Sequence, residues 1–169
     1  MATLALLLQL LSLTTISLIL LLANASQVDN VCAQTRNPSL CKMSLSSDPR
    51  SGTAPLPFLA QITVDMAGYR ANNIKQTIDD YMLRTADPAL RGKYVQCDNL
   101  YLDALDLLFR GAPGEIQNNQ WGALNRLGLR VRGLIDACEA LFNNNTPFRS
   151  ESQVVGVLAD AIAVIAKNL

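Results

Sequence analysis

Four cysteines are the residues in this chain whose type and spacing most directly announce a chemistry. Cys32, Cys41, Cys97 and Cys138 stand in a sequence of 169 residues that contains no His. Neither gap resembles the two-residue spacer of a CxxC redox or zinc motif, and no imidazole is available to complete a mixed metal site. Without His the usual general base at neutral pH is also missing. Structural disulfides are the natural reading if the chain meets an oxidising compartment, and an even count leaves no thiol over for catalysis. Residue types alone leave three pairings open. The remaining candidates are polar. Asp98, Asp103 and Asp106 form an acidic run, readable either as a docking patch for a basic partner or as internal ion pairs with Arg130 and Arg132. Trp121 is either a binding anchor or a core staple. Asn144-Asn145-Thr146 is an N-glycosylation sequon, whereas Asn37-Pro38-Ser39 is blocked by its proline. No pair of carboxylates has a spacing that specifies acid/base work across a cleft. With 14 Lys+Arg against 14 Asp+Glu the formal charge is zero, which speaks against a nucleic-acid partner.

The start of the chain supplies the oxidising compartment. Leu4 to Leu22 is an apolar stretch interrupted only by Gln9, Ser12, Thr14, Thr15 and Ser17. Ala23-Asn24-Ala25 follows, the small-x-small pattern that a signal peptidase accepts, so residues 1–25 read as a secretory signal peptide. An uncleaved anchor is the alternative, because the stretch is close to the roughly 20 residues that span a bilayer. The small-residue exit and the lack of flanking positive charge favour cleavage. No stable membrane insertion is then expected of the mature chain, residues 26–169, whose length suits one domain with a core of its own.

The mature chain carries helical periodicity almost throughout. Gln27 to Gln34 and Pro38 to Ser46 read as two short helices joined at Arg36-Asn37-Pro38, a hairpin that Cys32–Cys41 would staple. After a loop over 47–52, Leu56 to Leu83 reads as a long amphipathic helix. Asp87 and Pro88 are placed as N-cap and first residue of the next helix. There Leu90, Tyr94, Cys97, Tyr101, Ala104 and Leu108 fall on one seam, and Tyr94 and Tyr101 are read as core. Gly111, Pro113 and Gly114 are expected to end this helix in a linker over 111–120. Leu124, Leu127, Val131, Leu134, Cys138 and Leu141 repeat the seam. Ser150 with Gln153 matches a capping box for a last helix carrying Val155, Leu158, Ile162, Ile165 and Leu169.

Antiparallel neighbours place residues side by side when they are equidistant from the turn. The midpoint between Cys97 and Cys138 falls inside the expected linker 111–120, and both lie on apolar seams. They should therefore face each other at one level, as a disulfide requires. The fold expected is all-α: an up-and-down four-helix bundle with an N-terminal helical hairpin.

At these residues the chain resembles the plant invertase and pectin methylesterase inhibitor family. Cys32-Ala33-Gln34-Thr35-Arg36-Asn37-Pro38-Ser39-Leu40-Cys41 is similar to that family's opening hairpin, and Leu45 to Ser51 to the segment leaving it. Cys97 to Leu108 and Ile135 to Phe142 resemble the surroundings of its third and fourth cysteines. The resemblance implies disulfides from first to second and from third to fourth cysteine, with no catalysis and no cofactor. It implies an extracellular or cell-wall protein, with the vacuole as an alternative, that occludes the active cleft of a carbohydrate-active enzyme, one to one. Pectin methylesterase is the first target and acid invertase the second, since the Pro-Lys-Phe element of some invertase inhibitors has no match in 111–120. A rival from another class is a carrier for a small apolar ligand, which would need a lined interior cavity of a few hundred Å3 instead of a filled core.

Overall fold

The computed structural model describes residues 27–169; the expected leader lies outside them. Among the described residues there is no strand. Helix α1 occupies residues 27–32, followed by α2 (Pro38–Ser46), α3 (Leu56–Arg84), α4 (Pro88–Asp106), α5 (Ala112–Gln117), α6 (Trp121–Leu141) and α7 (Arg149–Lys167). A 3-10 turn, Pro49–Gly52, lies within the loop expected after α2. The long helices α3, α4, α6 and α7 touch in a closed ring, and α2 lies against α7. No described helix is long and apolar enough to cross a membrane.

Local chemistry sets most of the boundaries. Asn37 Oδ1 accepts from the Leu40 amide and starts α2 with Pro38 in its first turn. Asp87 Oδ1 accepts from the Ala89 amide at 2.9 Å, again with proline leading the helix. In both cases a side-chain oxygen satisfies an amide that the helix cannot, and proline spends no needed donor.

Two expected boundaries are corrected. The segment 111–120 is not a linker. Chain direction continues from α4 through a π-helical turn, Leu107–Gly111, into α5, which leaves only 118–120 to turn back. Pro113 sits in the first turn of α5, where its missing N–H costs little, and the π turn before it re-registers the hydrogen bonds. The capping box at the start of α7 does not form. Phe148 stands at the N-cap with no side-chain cap bond, and Ser150 Oγ instead donates to Glu151 Oε2.

Both expected disulfides are present. Cys32–Cys41 closes the hairpin with Cα atoms 5.4 Å apart, and Cys97–Cys138 ties α4 to α6 with Cα atoms 4.7 Å apart. In the chain-entropy account they stabilise by roughly 3 and roughly 4 kcal/mol respectively. Tyr94 and Tyr101 are buried as read. Tyr81, Tyr94 and Phe142 form an aromatic stack across the ends of α3, α4 and α6, with ring centroids 5.3 and 4.9 Å apart. Leu90 and Leu169, assigned to the seams, are instead exposed.

The last helix exceeds its expected stripe. From Val155 to Ala163 every residue of α7 is buried, so this helix is enclosed on nearly all sides. Its alanines and glycine let neighbours approach closely. A Cβ on Gly128 of α6 would lie 2.8 Å from the Ala159 carbonyl oxygen and 2.9 Å from the Ala163 nitrogen. Asn125, one turn earlier on α6, donates to the Ala163 carbonyl at 2.7 Å. Gly128→Val must push two backbones apart, at an expected cost of about 2–3 kcal/mol. Urea denaturation of the oxidised protein measures this, and an unchanged midpoint would contradict the close approach.

Candidate partner-binding surface

Position 160 interrupts the apolar run of α7 with an Asp. Its carboxylate is buried, and a buried charge demands cations and hydrogen bonds. Arg36, at the tip of the hairpin, supplies both. Its Nε donates to Asp160 Oδ2 at 2.8 Å while Nη1 donates to Asp136 Oδ2 on α6, also at 2.8 Å. Arg132 of α6 reaches Asp160 Oδ1 at 3.3 Å. Partial burial alone would lower the pKa of the Arg36 guanidinium, but its bonds to Asp160 and Asp136 outweigh that and raise it. Arg36 crosses α7 at Gly156, where a Cβ would lie 3.0 Å from its Nη2. Hairpin, α6 and α7 are thus joined by one charge cluster.

This cluster corrects the expected ion pairs. Arg132 turns to Asp160, so it is not the partner of Asp103 or Asp106. Among the described residues Asp106 pairs only with Arg110, one turn along its own chain, at 3.3 Å, with both side chains well exposed. Asp103 has no ion pair among the described residues and points outward. Asp98 is different again: it is largely covered and lies 3.4 Å from Lys75 Nζ of α3. The acidic run is therefore not one face. Asp98 belongs to an α3–α4 contact, whereas Asp103 and Asp106 face solvent.

The outward side of α4 carries more than carboxylates. Val95 and Leu102 of α4 and Phe109 of the following π turn are 45%, 46% and 54% exposed and recur at seven-residue intervals. On α3, Tyr69 is 68% exposed and lines the groove against the 3-10 turn. The Phe109 ring lies over Gly68, where a Cβ would come within 2.7 Å of Cε1. Only a glycine gives the ring this seat.

The other candidates take ordinary places. Trp121 opens α6 and is partly buried against the core. Asn144 is exposed, and Asn143 and Asn144 adopt left-handed backbone with φ of 53° and 59°, a conformation asparagine tolerates. The Thr146 hydroxyl of the sequon is turned inward and donates to Glu139 Oε1 at 2.6 Å. Tyr101 and Ser152 share a buried hydrogen bond of 3.0 Å between α4 and α7. Burial drives the Tyr101 phenol pKa far up, the Ser152 bond opposes this, and the nearby Glu139 charge adds to the rise. That phenol is a structural donor or acceptor and not an acid for catalysis.

Among the described residues no group of three or more potential ligands could hold a metal ion. The interior is filled by side chains such as Leu59, Ile62, Ile78, Leu124, Leu158 and Ile162, each under 2% exposed. A depression of about 470 Å3 between the 3-10 turn and α3 is a groove open to solvent.

A sequence model of the plant invertase/pectin methylesterase inhibitor family matches residues 26–164. The chain belongs to this family. It is 36% identical over 146 residues to a pectinesterase inhibitor of Actinidia deliciosa, spanning 84% of this chain and 78% of that one. It is 26% identical over 86 residues to pectinesterase inhibitor 2 of Arabidopsis thaliana, about half of each chain. Its fold is similar to crystal structures of two forms of pectin methylesterase inhibitor from Arabidopsis. A mutant form has a TM-score of 0.76 at 21% identity, covering 85% of this chain and 97% of that one. The other has a TM-score of 0.63 at 20% identity, covering 85% and 95%. Proteins of the family are enzyme inhibitors and not enzymes.

Within this family member the two features that sequence reading missed are the Asp160 cluster and the α4 stripe. Both left signals: a lone acid inside an apolar run, and apolar residues at 95, 102 and 109 out of phase with the buried seam. Arg36→Ala would leave Asp160 with Arg132 alone, at an expected cost of about 1–3 kcal/mol. It should also speed proteolysis of the hairpin while Cys32–Cys41 stays closed. Limited proteolysis with thermal melting reads both, and wild-type behaviour in each would contradict the latch.

Proposed function

We propose that this protein is a secreted inhibitor of a plant cell-wall carbohydrate-active enzyme, with pectin methylesterase as the target. The observation that carries the reading is its 36% identity to a pectinesterase inhibitor over most of both chains. Two disulfides, a filled interior and the absence of His support a body that acts through its surface. The ring of α3, α4, α6 and α7 is read as an up-and-down four-helix bundle, with α1 and α2 as the hairpin latched across α7. Residues 1–25 are read as the signal peptide and 26–169 as the inhibitor domain; the family match beginning at residue 26 agrees with that division. Secretion into the cell wall follows from the leader pattern and from the disulfides.

Inhibition is steric: a rigid helical face covers the groove in which the polysaccharide would lie, one inhibitor to one enzyme. A standard interface of about 1,600 Å2 in total is within reach of helices this long. Of the polar candidates, Asp103 and Asp106 remain on the docking side. Asp98 and Trp121 serve packing, and Asn144 is retained as the glycosylation candidate. Acid invertase is the second reading, because the family description names both targets. Titrating the oxidised mature protein separately against a plant pectin methylesterase and an acid invertase tests this. Pectin methylesterase activity should fall to a floor near one equivalent. Loss of neither activity at modest excess would overturn the reading.

A further inference from the structure

We infer that the groove along α3, from the 3-10 turn to the start of α7, binds a partly methyl-esterified pectic chain, the polymer of uronic acids on which a pectin methylesterase acts. This rests on the cell-wall reading above and adds a second surface to it, apart from the α4 side where Asp103 and Asp106 lie.

Two depressions share Arg70 and Asn73 and so form one open groove. The first, about 470 Å3, lies between the 3-10 turn and α3, and the second, about 250 Å3, between α3 and the start of α7. Met66, Tyr69, Arg70, Asn73 and Thr77 line the α3 wall at helical spacing, a run of about 16 Å at 1.5 Å of rise per residue. A trough of that length, open to solvent, suits a chain of linked units that enters and leaves at its ends. Tyr69 presents an exposed ring beside Met66 in the first depression, and Pro147 and Phe148 add apolar surface in the second. Aromatic and thioether side chains pack against the C–H faces of sugar rings and against methyl groups, while a few polar groups fix orientation. Asn73 and Thr77 supply such groups. Thr77 Oγ1 donates to the Asn73 carbonyl at 3.0 Å, which leaves its lone pairs to accept from a sugar hydroxyl.

Charge decides which sugar. Arg50 is engaged by Asp48, with Nη2 2.7 Å from Oδ2. Arg70 stands where the two depressions meet, half-buried, and has no ion pair among the described residues. A guanidinium fork without an anion fits one carboxylate through two parallel hydrogen bonds. The other acids near the groove are Glu151, which accepts from Ser150 at 2.7 Å, and Asp65, which precedes Met66 and accepts from Gln61 at 2.8 Å. Flanked by these acids, Arg70 can hold one uronate, while a fully ionised chain would meet repulsion on both sides. The neighbouring units are therefore neutral, with their methyl esters against Met66, Tyr69 and Pro147. An inhibitor held on this polymer is concentrated where the enzyme works.

The test titrates the oxidised mature protein, with no enzyme present, with oligogalacturonates of one length and graded methyl esterification and with a neutral galactan. The partly esterified chain should bind roughly 10-fold tighter than the fully de-esterified one or the galactan. Tyr69→Ala should weaken that binding roughly 10-fold, and Arg70→Gln should remove the preference over the fully esterified chain, both with the melting temperature unchanged. Leu83→Ser, at an exposed position of α3 beyond the groove, should bind like wild type. Both groove variants should still inhibit pectin methylesterase in solution as the wild type does. Galactan bound as tightly as the pectic chain overturns the groove, as do Tyr69 and Arg70 variants that bind like wild type. Self-association that buries Tyr69, read by sedimentation, overturns it too. A wild type that inhibits the enzyme and binds no pectic chain overturns the groove and leaves the function standing. One that binds the chain and inhibits neither enzyme does the reverse.

Discussion

A helix that is apolar on nearly every side can exist in water only if other elements enclose it. Helix α7 is in that position from Val155 to Ala163, and most of the architecture follows from the requirement. α3 and α6 cover two of its flanks, and the hairpin helix α2 covers another. Small residues make the enclosure tight: Gly128 brings the α6 backbone against α7, and Gly156 admits Arg36. A side chain at either place would widen the gap and forfeit dispersion contacts along the helix.

One charge inside this enclosure gives it specificity. Hydrophobic burial alone would let the hairpin slide along α7, since apolar contact is non-directional. Asp160 fixes the register by accepting from Arg36 and Arg132 at defined angles, and Asp136 holds the other end of the Arg36 fork. The disulfides act on the same problem through the unfolded chain. Cys32–Cys41 preforms the hairpin before it docks, and Cys97–Cys138 fixes α4 against α6.

Much of this was legible in the residues, and the failures share a cause. Equidistance from a turn correctly placed Cys97 opposite Cys138, because it measures level along two antiparallel helices. The same arithmetic misassigned Asp103 and Asp106 to Arg130 and Arg132, because level says nothing about which way a side chain points around the helix. Asp103 and Asp106 face outward, and Arg132 belongs to the side of α6 that also carries Asn125 and Gly128, toward α7. The helix from Pro88 was stopped too early at Gly111 because Pro113 was read as a breaker, whereas a π turn carried the chain past it. α7 was read as a stripe because its larger apolar residues repeat helically. The alanines and glycine between them, which look neutral in a sequence, are the positions that permit enclosure. The outer surface is half legible: the carboxylates of Asp103 and Asp106 stand out in the sequence, but Val95, Leu102 and Phe109 show as exposed only once the inward seam is filled.

The claim on which the account depends is that α7 is the enclosed centre of the molecule and opens only when the whole fold opens. Native-state hydrogen exchange of the oxidised protein tests it directly. Amides from Leu158 to Ile165 should be the slowest in the chain and should exchange with the free energy of global unfolding. If those amides exchange earlier than the α3 or α4 interior, in a local opening that leaves the other helices protected, α7 is not the element that the rest encloses.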